Sequence, residues 1–226
     1  MNLRFIRVYA LIFTIGAKSE ENYKKILADG WIDTLITKLN LTESDDPLIA
    51  TNLLQICIDF FTSTTKNTKN LKVPAFTLWN SWKEFANKAA DVCLRNELVW
   101  FPLLFPYTLQ VLVLLLRVNI LTQSPTDSRD LAFDKKVLTL LENNSDFPDE
   151  STLENILTSI SIFSCTQETQ ELFFNSKIFR LHKEALYSNS KLIFLTFVYS
   201  LTQILNEYLY FIIFSNHMNM LTPTQC

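Results

Sequence analysis

Two histidines and four cysteines are the chain's whole stock of soft metal ligands and strong nucleophiles, and their places argue against a catalytic or metal centre. His182 and His217 stand far apart, and neither has a cysteine or carboxylate at metal-ligand spacing. His182 sits beside Lys183 and Glu184 and reads as a surface histidine, while His217 falls in an irregular tail. Cys57, Cys93 and Cys165 each lie in an apolar helical run, which suits buried, reduced thiols used as small hydrophobes in a reducing compartment. The carboxylates gather at Asp45-Asp46 and from Asp146 to Glu150, where they serve as caps and solvated turns. No converging group there would hold one protonated for acid catalysis. The expectation is no catalytic, cofactor-binding or metal-binding residue, and no enzymatic activity.

Backbone-built sites are excluded on separate grounds. Only two glycines occur, Gly16 and Gly30, whereas dinucleotide folds, phosphate loops and nucleophile elbows need several to let backbone approach a ligand. A net charge of -3 and a pI of about 5.5 give no electrostatic pull toward nucleic acid. Lys66, Lys69 and Lys72, interleaved with Thr and Asn, read as a solvated loop.

The aromatics leave room for a binding role. Trp79, Trp82, Phe85 and Trp100 suit the packing of an extra helix, yet Trp79 and Trp82 are three residues apart and share a helix face, so one of them is a candidate exposed anchor for a partner.

What would position such residues is a set of repeated helices. Apolar residues recur at helical spacing in Val8, Leu11, Ile12, Ile15; in Ala50, Leu53, Leu54, Cys57, Phe61; and in Leu109, Leu112, Val113, Leu116, Ile120. The pattern returns in Leu153, Ile156, Leu157, Ile160 and in Phe194, Phe197, Val198, Leu201, Leu205. The starting positions are separated by 42, 59, 44 and 41 residues; all but the wide gap, which holds an insertion, match the ~40 to 47 of HEAT and armadillo arrays, whose units bury their apolar faces only by stacking. Shorter helical signals lie between the copies, at Trp31, Ile32, Leu35, Ile36, Leu39 and at Phe133, Val137, Leu140, Leu141. Asp29-Gly30 suits a helix end, and the acidic run through Asp46-Pro47 and Ser151-Thr152 suit helix starts. The fold expected is all-α, a right-handed armadillo/HEAT-like helical-repeat solenoid forming one domain over 1–226. An insertion spans about 62–95: a loop from Thr62 to Val73, then a helix carrying Leu78, Trp82, Phe85, Ala89 and Val92. An irregular tail spans about 215–226. The expected core joins Leu11, Ile15, Leu54, Cys57, Leu112, Leu116, Ile156, Ile160, Phe197 and Leu201.

Two segments imitate membrane targeting. Residues 1–17 pair Arg4 and Arg7 with an apolar run ending at Gly16-Ala17, as a secretory signal does. Leu98 to Leu116 is uncharged and near spanning length, but Pro102, Pro106 and Gln110 interrupt it, so buried core is the expectation.

Residues 7–61, with Arg7-Val8-Tyr9, Leu11-Ile12, the Gly30 turn before a Leu-rich helix and an acidic break before the next, resemble the 26S proteasome non-ATPase regulatory subunit 5 family. Phe105-Pro106 before an apolar helix, Ser124-Pro125, and residues 134–163 are similar to that family in order and spacing. The family's N-terminal repeats have no counterpart, and the tail after about Ser215 has no match in it. The resemblance implies a cytoplasmic, and also nuclear, chaperone that binds a base ATPase subunit during assembly of the regulatory particle. The alternatives are a generic armadillo or HEAT scaffold with another protein partner, and a secreted or membrane protein. In solenoids the later helix of each pair lines the concave surface, so residues 49–61, 152–164 and 193–205 are the expected partner face. Asn52, Gln55, Asp59, Asn155, Ser159 and Gln203 lie off the apolar template there, with Trp79 and Trp82 as the second candidate region.

Overall fold

The computed structural model describes residues 3–43, 46–65, 71–122, 130–144 and 176–177. The chain divides into two compact units, Met1–Asn144 and Ser145–Cys226, and nearly all described residues belong to the first. Every regular element among them is a helix: α1 (Leu3–Gly16), α2 (Glu20–Ala28), α3 (Trp31–Lys38), α4 (Pro47–Thr65), α5 (Ala75–Leu94), α6 (Phe101–Leu121) and α7 (Leu131–Asn143). The last two apolar copies, starting at 153 and 194, with Ile156, Ile160, Phe197 and Leu201, lie outside the described residues, as do Cys165, His182 and His217.

Local chemistry sets the helix ends. Ser19 Oγ accepts from Asn22 N–H at 3.2 Å to start α2. Its first turn carries Glu20 and Glu21, each paired with a lysine four residues on; these exposed pairs add little. Gly30 closes the α2–α3 turn at φ 70°, the left-handed region where a side chain would be strained. Asp46 Oδ1 accepts from Leu48 N–H at 3.0 Å and Ile49 N–H at 3.3 Å, capping α4 directly before Pro47. Asp130 Oδ1 does the same for Phe133 N–H at 3.0 Å at the start of α7.

Helices pack beyond their chain neighbours. α4 lies against α1 and α6, and α5 lies against α6 and α7. The buried stripes of α4, α5, α6 and α7 are those the spacing indicates: Leu53, Leu54, Cys57 and Phe61; Leu78, Phe85, Ala89 and Val92; Leu109, Leu112, Val113 and Leu116; Phe133, Val137, Leu140 and Leu141. α6 is long and apolar enough to cross a membrane by length and composition, and its buried side chains lie against α4, α5 and α7.

Three expectations are corrected. In α1, Leu11 is 62% and Ile15 42% exposed, whereas Tyr9 and Phe13 are buried. The helix is apolar nearly all round, so two stripes compete, and the one with aromatic rings wins because rings bury more surface and find edge partners. Tyr9 meets Trp31 edge-on at 5.6 Å, and Phe13 meets Phe60 at 5.4 Å. The expected loop does not begin at Thr62, because α4 continues to Thr65 with Thr64 and Thr65 buried. Their hydroxyls donate to the carbonyls of Phe60 and Phe61, which removes the cost of burying them in a helix. Finally, Trp79 and Trp82 are only 4% and 0% exposed. The face they share points into the core, so neither is an exposed anchor. Trp82 touches Phe61 at 5.0 Å, Phe85 at 5.9 Å and Phe13 at 6.3 Å, joining α1, α4 and α5, while Trp79 packs on Phe133 of α7 at 5.1 Å.

Candidate protein-binding face

On α4 the polar residues expected to face a partner stand at the surface. Gln55 and Asp59 are exposed and Asn52 is half-buried, at spacings of three and four that align them on one side of the helix. Asn52 Nδ2 donates to the Leu48 carbonyl at 2.7 Å. Gln55 Nε2 donates to Asp59 Oδ1 at 2.9 Å, and Ser63 Oγ donates to the Asp59 carbonyl at 2.7 Å. These bonds hold the row along the helix axis, and the opposite side of α4 is locked by Leu53, Leu54, Cys57 and Phe61. Asn155, Ser159 and Gln203, their counterparts on the later copies, lie outside the described residues.

A cleft of about 240 Å³ opens beside this row. Phe13 of α1, Ala17 just beyond it, and Ile56 and Phe60 of α4 form its apolar floor, and Thr14, Lys18, Asp59, Ser63 and Lys72 border it. Asp59 thus belongs to both the row and the cleft. Thr14 and Lys18 carry no sequence signal for this role, because they meet α4 only through folding. A second cleft, of about 290 Å³, lies between the end of α3 and α5, with Ile36, Leu41, Phe85 and Lys88 in its wall.

Burial keeps the thiols of Cys57 and Cys93 and the phenol of Tyr23 neutral. Burial pushes the Cys57 thiol far above its ordinary range and the Cys93 thiol up to about 12, so neither supplies a thiolate near neutral pH. The Tyr23 hydroxyl is pushed up to about 12, chiefly by burial, with Ser81 and Trp82 as its polar neighbours acting in the opposite direction. Those neighbours approach without hydrogen-bond geometry, which leaves Tyr23 Oη and Trp82 Nε1 buried and unpaired.

One buried polar network ties α5, α6 and α7 together. Asn119 grips the backbone of Asp130 from both sides: its Nδ2 donates to the Asp130 carbonyl at 3.0 Å, and its Oδ1 accepts the Asp130 N–H at 3.1 Å. The same Nδ2 reaches Asp134 Oδ1 at 2.8 Å. Asn87 Nδ2 donates to Asp130 Oδ2, and Lys136 Nζ bridges Asn87 Oδ1 and Asp91. Every member has a structural partner, which is the mark of a device that fixes geometry. Among the described residues no group of three or more histidine, cysteine or carboxylate side chains is placed to hold a metal ion.

Comparison with known proteins yields no match to a family model, a curated protein or a solved structure.

Proposed function

We propose that the chain is a non-catalytic scaffold that holds another protein, built as a right-handed armadillo/HEAT-like stack, and that its partner is an ATPase subunit of the proteasome regulatory particle base. The observation that carries the protein-holding reading is the row Asn52, Gln55 and Asp59 on α4. It is a polar edge on a helix whose other side is immobilised between α1 and α6. A partner meeting a rigid, weakly charged helix face loses little ordering entropy and gains hydrogen bonds at an interface rim. The stacked reading draws support from the contacts of α4 with α6 and of α5 with α7, since alternate helices touching is how two-layer repeats bury their faces. The assignment of the partner rests on the resemblance of residues 7–61 and 134–163 to the subunit 5 family. On this reading the chain acts in the cytoplasm and nucleus, and occupancy of the ATPase subunit delays its docking without any chemical step.

Affinity capture tests the proposal. Tagged full-length chain is expected to recover a base ATPase subunit from cytoplasmic extract. Recovery of other proteins without any base ATPase sinks the proteasomal assignment and leaves a scaffold for a different partner.

A further inference from the structure

The cleft between α1 and α4 has a more specific chemistry than the polar row beside it. Its floor is apolar, with the Phe13 and Phe60 rings edge-to-face at 5.4 Å and Ile56 alongside. At its rim the hydroxyl protons are already spent: Thr14 Oγ donates to the Ala10 carbonyl at 2.7 Å and Ser63 Oγ to the Asp59 carbonyl at 2.7 Å. The donors left for a ligand are the ammonium groups of Lys18 and Lys72, both exposed and neither in an ion pair among the described residues. The one rim carboxylate, Asp59, already accepts from Gln55. Cations above an apolar floor complement a ligand that carries a carboxylate next to an apolar side chain.

We propose that this cleft captures the C-terminal residue of a partner protein, its apolar side chain on the Phe13 and Phe60 floor and its terminal carboxylate paired with Lys18 and Lys72. Geometry favours a chain end over an internal acidic residue. In an extended peptide successive side chains point to opposite faces, so an internal Asp or Glu and its apolar neighbour do not enter one small cleft together. A C-terminal residue carries its carboxylate one bond from the carbon bearing its side chain, and about 240 Å³ accommodates a single such residue. Capture of a terminal carboxylate is also a known mode of peptide recognition. The inference deepens the protein-holding reading and rests on it, but it does not depend on which protein is held.

The test uses the full chain and N-terminally fluorescein-labelled hexapeptides, followed by fluorescence anisotropy. The probes end in Leu as the free acid, in Leu as the amide, and in Gly as the free acid. The Leu free acid is expected to bind saturably, with affinity falling as salt rises from about 50 to about 300 mM. The amide and the Gly peptide are expected to bind about tenfold more weakly, and Lys18→Gln and Lys72→Gln each to weaken the Leu acid about three- to tenfold with unchanged helicity. Equal binding of acid and amide, absence of saturable binding by the acid, or normal binding by both lysine variants overturns the proposal. Failure here alongside successful capture of a base ATPase refutes the cleft alone; peptide binding without that ATPase supports the cleft and refutes only the partner.

Discussion

Tyr23 and Cys93 connect burial to a measurable pH dependence. Their folded values, both about 12, lie above the ordinary 10.0 of a phenol and 9.0 of a thiol, so the unfolded chain ionises first as pH rises. Stability from these groups is therefore complete below pH 9, and it erodes through the thiol between 9 and about 12 and through the phenol between 10 and about 12. Urea midpoints are expected to be flat from pH 7 to 9 and to fall above it. Tyr23→Phe should remove the phenol's share of the slope above pH 10, worth on the order of 2 kcal/mol, and leave the thiol's share. An unchanged slope in that variant contradicts the buried-phenol account. Asn119 allows a second test at this scale. Its carboxamide satisfies both the N–H and the carbonyl of Asp130 and reaches Asp134, so Asn119→Ala strands buried polar groups and should cost about 1 to 3 kcal/mol in urea unfolding. A loss under about 0.5 kcal/mol, the ordinary surface level, would show that the clamp is not holding the α6–α7 connection. The Asn119 network was not legible from spacing, because Asn87, Asn119 and Asp134 come from three helices and only folding juxtaposes them.

At the scale of elements, the apolar template matched buried stripes in α4, α5, α6 and α7. The stripes of α4, α5 and α7 and the Asp46 and Gly30 boundaries follow from local spacing and capping, because propensity and burial agree there. It failed on α1, where Val8, Leu11 and Ile15 match the template as well as Tyr9 and Phe13 do. The choice between faces was made by Trp31, Phe60 and Trp82, residues distant in sequence. For Trp79 and Trp82 the core-packing expectation held and the exposed-anchor alternative fell: their shared face was legible, but its direction depends on α4 and α7. These assignments separate by mutation. Leu54→Ala and Leu116→Ala, at fully buried positions, should each cost ~2 to 5 kcal/mol. Leu11→Ala, at a position 62% exposed, should fall within about 0.5 kcal/mol. Thermal or urea unfolding that ranks Leu11→Ala with the other two would restore the rejected face.

For the whole molecule, composition already pointed away from backbone-cradled cofactors through its two glycines, and helical periodicity indicated an all-helical chain. The proposed partner surface was half legible: Asn52, Gln55 and Asp59 declare themselves as polar interruptions, whereas the adjoining cleft depends on Thr14 of α1 and Lys18 just beyond it. The central claim is that the chain holds a protein through this side of α4, and the most direct measurement is binding of the purified full chain to a purified base ATPase subunit by isothermal titration calorimetry, with Gln55→Lys as the comparison. Gln55 is exposed and its carboxamide bonds to Asp59, so the substitution changes the surface while leaving the fold within about 0.5 kcal/mol. The account predicts a saturable complex that Gln55→Lys weakens about tenfold with unchanged melting. No heat of binding from the unsubstituted chain, or identical affinity from both, would contradict it.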